Sequence, residues 1–135
     1  MSALCCLLSA CGQQTAEQDA GIQWDESVWQ SVQIQQLERG RVLYQQKCAA
    51  CHLVSGEGQA TLGAPGLKGS AVVTGPAATH IGIVLSGRSN GTMPAFDKSL
   101  DAQAIADIVS YERNAWGNND PALVSAEQVE ALKSR

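Results

Sequence analysis

Two cysteines and a histidine lie within five positions of the stretch QQKCAACHL, residues 45–53. At this spacing, Cys48, Cys51 and His52 could act as a redox dithiol, as metal ligands or as the attachment point of a covalent cofactor. Each chemistry makes different demands on the surrounding sequence, so the rest of the chain decides among them.

The dithiol and zinc interpretations fit the surroundings poorly. A thioredoxin-like CxxC follows a strand and opens a helix, whereas this CxxC ends a helical stretch. A structural zinc site needs four ligands, usually in two pairs, and His80 is the one other histidine of the chain. A disulfide between the two cysteines would leave His52 without a role.

Covalent haem accounts for all three residues. In the C-x-x-C-H signature, one helical turn spaces two thiols for the haem vinyl groups, and the histidine presents its imidazole to the iron. The low aromatic content, 4% of 135 residues, indicates a thin core that a cofactor would complete. The sequence therefore predicts one covalently attached haem c.

The predicted elements are helical, and no convincing strand is found. A helix is expected from Val28 to about Ala50, and a second from Ala77 to about Ser86. A third should start at an Asp101 N-cap and run to about Trp116, and a short one should follow the Ser125 capping box. Between the first two lies a segment with six glycines and two prolines, residues 53–76, which we call the wrapping loop because its length suggests that it encloses something.

The amino-terminal residues suggest export and lipid attachment. Leu8-Ser9-Ala10-Cys11 resembles a bacterial lipobox. Residues 1–10 would then be a signal peptide, and we expect this signal peptide to be truncated, since no basic residue precedes its apolar run. Cys11 would then carry the lipid, residues 11–27 would form a flexible acidic tether, and residues 28–135 would form the folded domain. This layout places the protein on the periplasmic side of a bacterial membrane, or in the periplasm if no lipid is attached.

The net charge of −4 is concentrated outside the predicted domain core. Residues 1–33 contribute four acidic and no basic side chains, whereas residues 34–116 hold seven basic and six acidic ones. The chain therefore lacks the basic stripe that nucleic-acid binding requires, and that class is disfavoured.

From about Gln36 to Trp116 the sequence resembles a class I cytochrome c, with the pattern RGRVLYQQKCAACH, then APGL, then NGTMPAF. The resemblance implies an all-α fold of three to five helices around one haem, in which Gly40 lets the first and last helices cross near Tyr111. It also implies that the carbonyl of Pro65 accepts the Nδ1 proton of His52. Met93 would be the distal iron ligand. The rival ligand, His80, is expected to face solvent or a haem edge.

The segments HIGIVLSGRSNGTMPAF and IVSYERNAWGNND are similar to the cytochrome c domain fused to subunit II of haem-copper oxidases. The resemblance implies a single-electron carrier rather than an enzyme, and it makes a haem-copper oxidase a plausible electron acceptor. A quinol-cytochrome c reductase and a dehydrogenase are the other redox partners that we expect. Arg88, Lys68 and Lys98 are expected near the rim of the exposed haem edge. The competing class is a haem peroxidase or gas sensor, in which the distal ligand would have to be displaced.

Overall fold

The computed structural model describes residues 22–134. Within them lie five α-helices and no strand, as expected from the sequence: α1 (Ser31–Lys47), α2 (Ala49–His52), α3 (Ala77–Ser86), α4 (Ala102–Glu112) and α5 (Ala126–Lys133). None of the helices within this range is long and apolar enough to cross a membrane. The predicted signal peptide, Cys11 and most of the predicted tether lie outside the described residues.

The two long helices α1 and α4 cross closely at a glycine. A Cβ atom placed on Gly40 would lie 2.0 Å from the backbone oxygen of Asp107 and 2.7 Å from the Cβ of Tyr111. No side chain fits into that space, since real Cβ atoms essentially never approach another heavy atom within 3.0 Å. The predicted contact between Gly40 and the Tyr111 region is confirmed.

Two apolar clusters fill the interior. One joins α3, α4 and α5 through Ile81, Ile105 and Val129, with Met93 and Phe96 packed against its edge. The other is aromatic: Tyr44, Tyr111 and Trp116 lie with ring centroids 5.0 to 5.6 Å apart. Together they make a small core that leaves one large cavity between the wrapping loop and the helices.

The first helix begins later than the sequence pattern suggested, and the tether ends earlier. Asp25 forms a turn in which its backbone oxygen accepts hydrogen bonds from the amides of Val28 and Trp29, so helical geometry starts only at Ser31. Trp24 donates a 2.7 Å hydrogen bond to Glu38 and packs edge-on against Tyr111. Part of the segment assigned to the tether is therefore attached to the folded domain.

The prediction that α4 runs to Trp116 is wrong. The helix ends at Glu112, and Trp116 adopts φ +57° within a short 3₁₀ turn. The end is set by side chains: Asn118 donates a 2.8 Å hydrogen bond to the carbonyl of Glu112, which would otherwise lack a helical partner. The expected N-caps of α4 and α5 are present: the Asp101 side chain accepts a hydrogen bond from Ala104 N at 2.8 Å, and the Ser125 side chain accepts one from Gln128 N at 3.4 Å.

Candidate functional site

A cavity of about 390 Å³ lies between the wrapping loop, the end of α1 and helices α3 and α4. Cys48, Cys51, His52 and Met93 all line it, although forty-one residues separate His52 from Met93 in the sequence. The wall is mainly apolar, with Val73, Ile83 and several neighbours from the wrapping loop and α3. The residues singled out by their chemistry are thus brought together around one space.

The two cysteines and His52 are placed by a break between α1 and α2. Cys48 caps α1, and the four-residue helix α2 carries Cys51 and His52 one turn further on. Burial raises the pKa of the Cys48 thiol, and the negative charge of Glu112 adds to that effect. Cys51 is exposed at the cavity edge. Neither cysteine is part of a disulfide among the described residues, which leaves both sulfur atoms for attachment to vinyl groups.

His52 is held in one orientation by the wrapping loop. Its Nδ1 lies 2.9 Å from the backbone oxygen of Pro65, and because a carbonyl only accepts, Nδ1 must carry the proton. Nε2 is left with a lone pair for a metal ion, as in other metal-binding histidines. Gly58, at φ +75°, makes room for this contact, since a Cβ there would lie 2.5 Å from the Pro65 oxygen. The expected hydrogen bond is present, and its role in iron ligation stays a prediction.

Met93 is presented by a tight loop after α3. The amide of Arg88 donates to the Met93 carbonyl at 3.0 Å, and the Met93 amide donates back to the Arg88 carbonyl at 3.2 Å. This reciprocal pair closes the loop and directs the following residues over α3, where the Phe96 amide binds the carbonyl of Val84 at 3.1 Å. Met93 is half-buried: it packs against the edge of the α3–α4–α5 cluster and also lines the cavity, as a thioether ligand would.

These donors fit a covalently attached haem. Two thiols, an imidazole with an oriented ring and a thioether converge on a cavity whose remaining wall is mostly apolar. Soft sulfur and imidazole ligands are those that haem iron takes in c-type cytochromes.

The wrapping loop is fastened to the end of α4 by two side chains that sequence reasoning missed. Asn118 accepts a hydrogen bond from Gly69 N at 2.8 Å and donates to Leu67 O at 3.1 Å. Arg113, buried at 4% exposure, donates to the carbonyl of Val73 and forms an ion pair with Asp120. Both lie in the distinctive run YERNAWGNND, and polar residues just after an apolar helix were the available signal.

Of the two surroundings expected for His80, solvent and a haem edge, the structure excludes solvent. Its side chain is 2% exposed, lines the cavity and lies 2.8 Å from Glu112, measured from Nε2 to Oε2. Glu112 stands on the apolar stripe of α4, and a carboxylate in that position is a sign of a buried polar partner.

One of the three basic side chains expected at the rim lines the cavity. Arg88 lines the cavity, whereas Lys68 and Lys98 lie outside its lining, near the carboxylates of Glu57 and Asp97. Arg88 is therefore at the cavity as expected, and the placement of Lys68 and Lys98 near the haem edge stays a prediction.

The helical fold around a cavity with this motif is that of a class I c-type cytochrome. Residues 35–111 match the family described as cytochrome c oxidase, cbb3-type, subunit III. This match covers more than half of the chain, so the chain belongs to that family. Haem c is the cofactor of this class, and electron transfer, rather than catalysis, is its role.

Curated relatives are subunits of larger redox enzymes. The chain is 34% identical over 103 residues to the cytochrome c subunit of the quinone-dependent alcohol dehydrogenase of Gluconacetobacter polyoxogenes, covering 70% of this chain and 22% of the relative. It is 33% identical to the gluconate 2-dehydrogenase cytochrome c subunit of Pantoea cypripedii, covering 98% and 32% of the two chains. It is also 33% identical to the cbb3-type oxidase subunit CcoP of Azospirillum brasilense, covering 59% and 28%. The chain thus spans a third or less of the length of these relatives. The narrower resemblance to a domain fused to oxidase subunit II stays a prediction.

Proposed function

We propose that this chain is a single-electron carrier that would hold one haem c through Cys48 and Cys51, with His52 and Met93 as the ligands of its iron. The observation that carries the proposal is the convergence of these four side chains on one cavity. When bound, the haem supplies an iron that changes between ferrous and ferric states by one electron.

The chain's own residues keep the iron's surroundings constant. Pro65 fixes the His52 ring, and the closed loop at Arg88 fixes the position of Met93. The soft Met93 thioether favours the ferrous state and so raises the reduction potential. Because both ligands are held in place by the fold, little has to rearrange when an electron arrives or leaves.

Electron partners would dock where the cavity meets solvent. Leu62 and Val72 line the cavity and are 50% and 37% exposed. Exposed apolar side chains beside the cavity suit the small, weak interfaces of redox encounters. The proposed redox partners are a haem-copper oxidase as acceptor and a dehydrogenase or a quinol-cytochrome c reductase as donor. The oxidase and the dehydrogenase are supported by relatives that are subunits of a cbb3-type oxidase and of two dehydrogenases.

A lipid on Cys11 would hold the domain at the periplasmic face of a bacterial membrane and raise the effective concentration of membrane-bound partners. Cys11→Ser should move the protein from the membrane to the soluble fraction. Cys6→Ser, a cysteine of the same apolar run, should leave it on the membrane. Equal membrane association of both variants would contradict the lipid anchor.

Absorption spectroscopy of the purified protein tests the haem assignment. We expect a low-spin c-type spectrum, haem that resists acid extraction and a methionine–iron charge-transfer band in the ferric state. Met93→Ala should lose the band and bind carbon monoxide, whereas the neighbouring exposed Thr92→Ala should keep the band and exclude the gas. Wild-type protein that binds carbon monoxide readily would contradict the carrier function and favour a haem enzyme or sensor.

A further inference from the structure

Two ionisable side chains in the cavity wall take no part in the proposed attachment or ligation of haem. His80 on α3 and Glu112 at the end of α4 are 2% and 3% exposed, and both line the cavity. Their side chains meet at 2.8 Å, from Nε2 to Oε2. Buried ionisable groups are costly unless they are paired, so this pair needs a physical explanation.

The hydrogen bonds of the pair indicate its charge. Nδ1 of His80 is buried and has no hydrogen-bond partner among the described residues. A proton on Nδ1 would be a buried donor with no protein acceptor among the described residues. A proton on Nε2 has the Glu112 carboxylate as its acceptor. The one proton of the ring therefore lies on Nε2 and is donated to Glu112. A neutral imidazole beside an ionised carboxylate gives the pair a net charge of −1.

This negative charge lies in the cavity wall, because Glu112 lines the cavity. Burial raises the pKa of Cys48 in the same wall, and the charge of Glu112 adds to that effect. The cationic side chains in the same wall, Lys47 and Arg88, are exposed, so solvent and salt screen them. The buried carboxylate is screened much less.

We propose that Glu112, held in place by His80, sets the reduction potential of the bound haem through its buried negative charge. The inference rests on the proposed haem site. Reduction adds one electron, supplied by a redox partner, to the iron within the same low-dielectric cavity. The Glu112 carboxylate opposes that added charge, so it favours the ferric state and lowers the potential. His80 is the positioning residue, because its Nε2 proton fixes the carboxylate against the cavity.

A charge-removing variant with a matched control tests this effect. Glu112→Gln keeps the size of the side chain and removes its charge. In a spectroelectrochemical titration, we expect the reduced state of this variant to be favoured about tenfold more than in wild type. For a one-electron couple, this tenfold change is a rise of about 59 mV in the reduction potential. The control is Asp107→Asn on the same helix. Asp107 is 2% exposed, but its charge is balanced by Arg39 at 2.7 Å, so the equilibrium should change less than twofold.

The outcomes separate this inference from the proposed function. An unchanged or lowered potential in Glu112→Gln, with a normal c-type spectrum, would overturn the role of Glu112 and leave the haem site standing. An equal rise in Asp107→Asn would overturn it as well. Wild-type protein without covalent haem would overturn both.

A measurement on the wild-type protein covers the case in which Glu112→Gln does not mature. In the reduced, diamagnetic protein, the ¹⁵N chemical shifts of His80 should show one protonated ring nitrogen, Nε2. Two protonated nitrogens, or a proton on Nδ1 alone, would mean that the pair is not anionic and would overturn the proposal.

Discussion

The crossing of α1 and α4 at Gly40 gives the sharpest structural prediction. In Gly40→Ala, the new methyl group would lie 2.0 Å from the backbone oxygen of Asp107, against an ordinary contact distance of at least 3.4 Å. The helices would have to separate by about 1.4 Å at this point. Overpacking of this kind costs about 1–3 kcal/mol, and the obstacle here is backbone, which cannot rotate away. Alanine gains about 1 kcal/mol of helix propensity. Because a rigid backbone obstacle puts the cost at the upper end of that range, we expect a net loss of about 2 kcal/mol in the free energy of unfolding.

Urea denaturation of the holoprotein, followed by circular dichroism, measures this loss. Gly82→Ala is the matched control, because Gly82 also lies within a helix and a Cβ there would meet nothing within 4 Å. That variant should gain about 1 kcal/mol from helix propensity alone, so the two variants should move in opposite directions. A Gly40→Ala protein as stable as wild type, or stabilised like Gly82→Ala, would refute the close crossing.

Three other changes test the contacts around the core and the cavity. Trp24→Ala removes the hydrogen bond to Glu38 and the edge-on contact with Tyr111, so it should lower the free energy of unfolding by about 1–3 kcal/mol. An unchanged thermal midpoint would show that Trp24 does not pack against the folded domain. Asn118→Ala should destabilise the protein by about 1–3 kcal/mol and speed proteolysis within the wrapping loop, whereas the exposed neighbour Asn119→Ala should do neither. Burial raises the pKa of Asp120, but hydrogen bonds from a nearby backbone amide and from Arg113 outweigh it and hold the pKa below its usual value. The stability that ionised Asp120 contributes is therefore complete above about pH 4 and is lost as the pH falls through its folded-state pKa. The free energies of unfolding of wild type and Asp120→Asn should accordingly converge in acid. A difference that stays constant with pH would contradict the ion pair.

The haem motif and the helical pattern were readable because they depend on local spacing. C-x-x-C-H occupies one turn, and α3 was predicted with its observed bounds because its apolar stripe lies between Pro76 and Gly87. Gly40 was recognised because a glycine inside a helix is costly unless something packs against it. In each case the physical cause lies within a few residues of the observed effect.

The features that were missed depend on contacts between distant residues. Asn118 ends α4 and fastens the wrapping loop through Gly69 and Leu67, about fifty positions away. The burial of His80 against Glu112 was not predicted, because the two residues lie thirty-two positions apart. Local pattern carries no information on such pairs unless a charged residue stands on an apolar stripe, as Glu112 does.

The intact mass of the denatured protein tests the central claim most directly. After expression in a host that attaches haem and unfolding in acid, we expect a single species heavier than the polypeptide by one haem. Replacing both Cys48 and Cys51 by serine should return the mass to that of the polypeptide alone. Wild-type protein at the polypeptide mass, with haem released on unfolding or never bound, would contradict covalent attachment at this site.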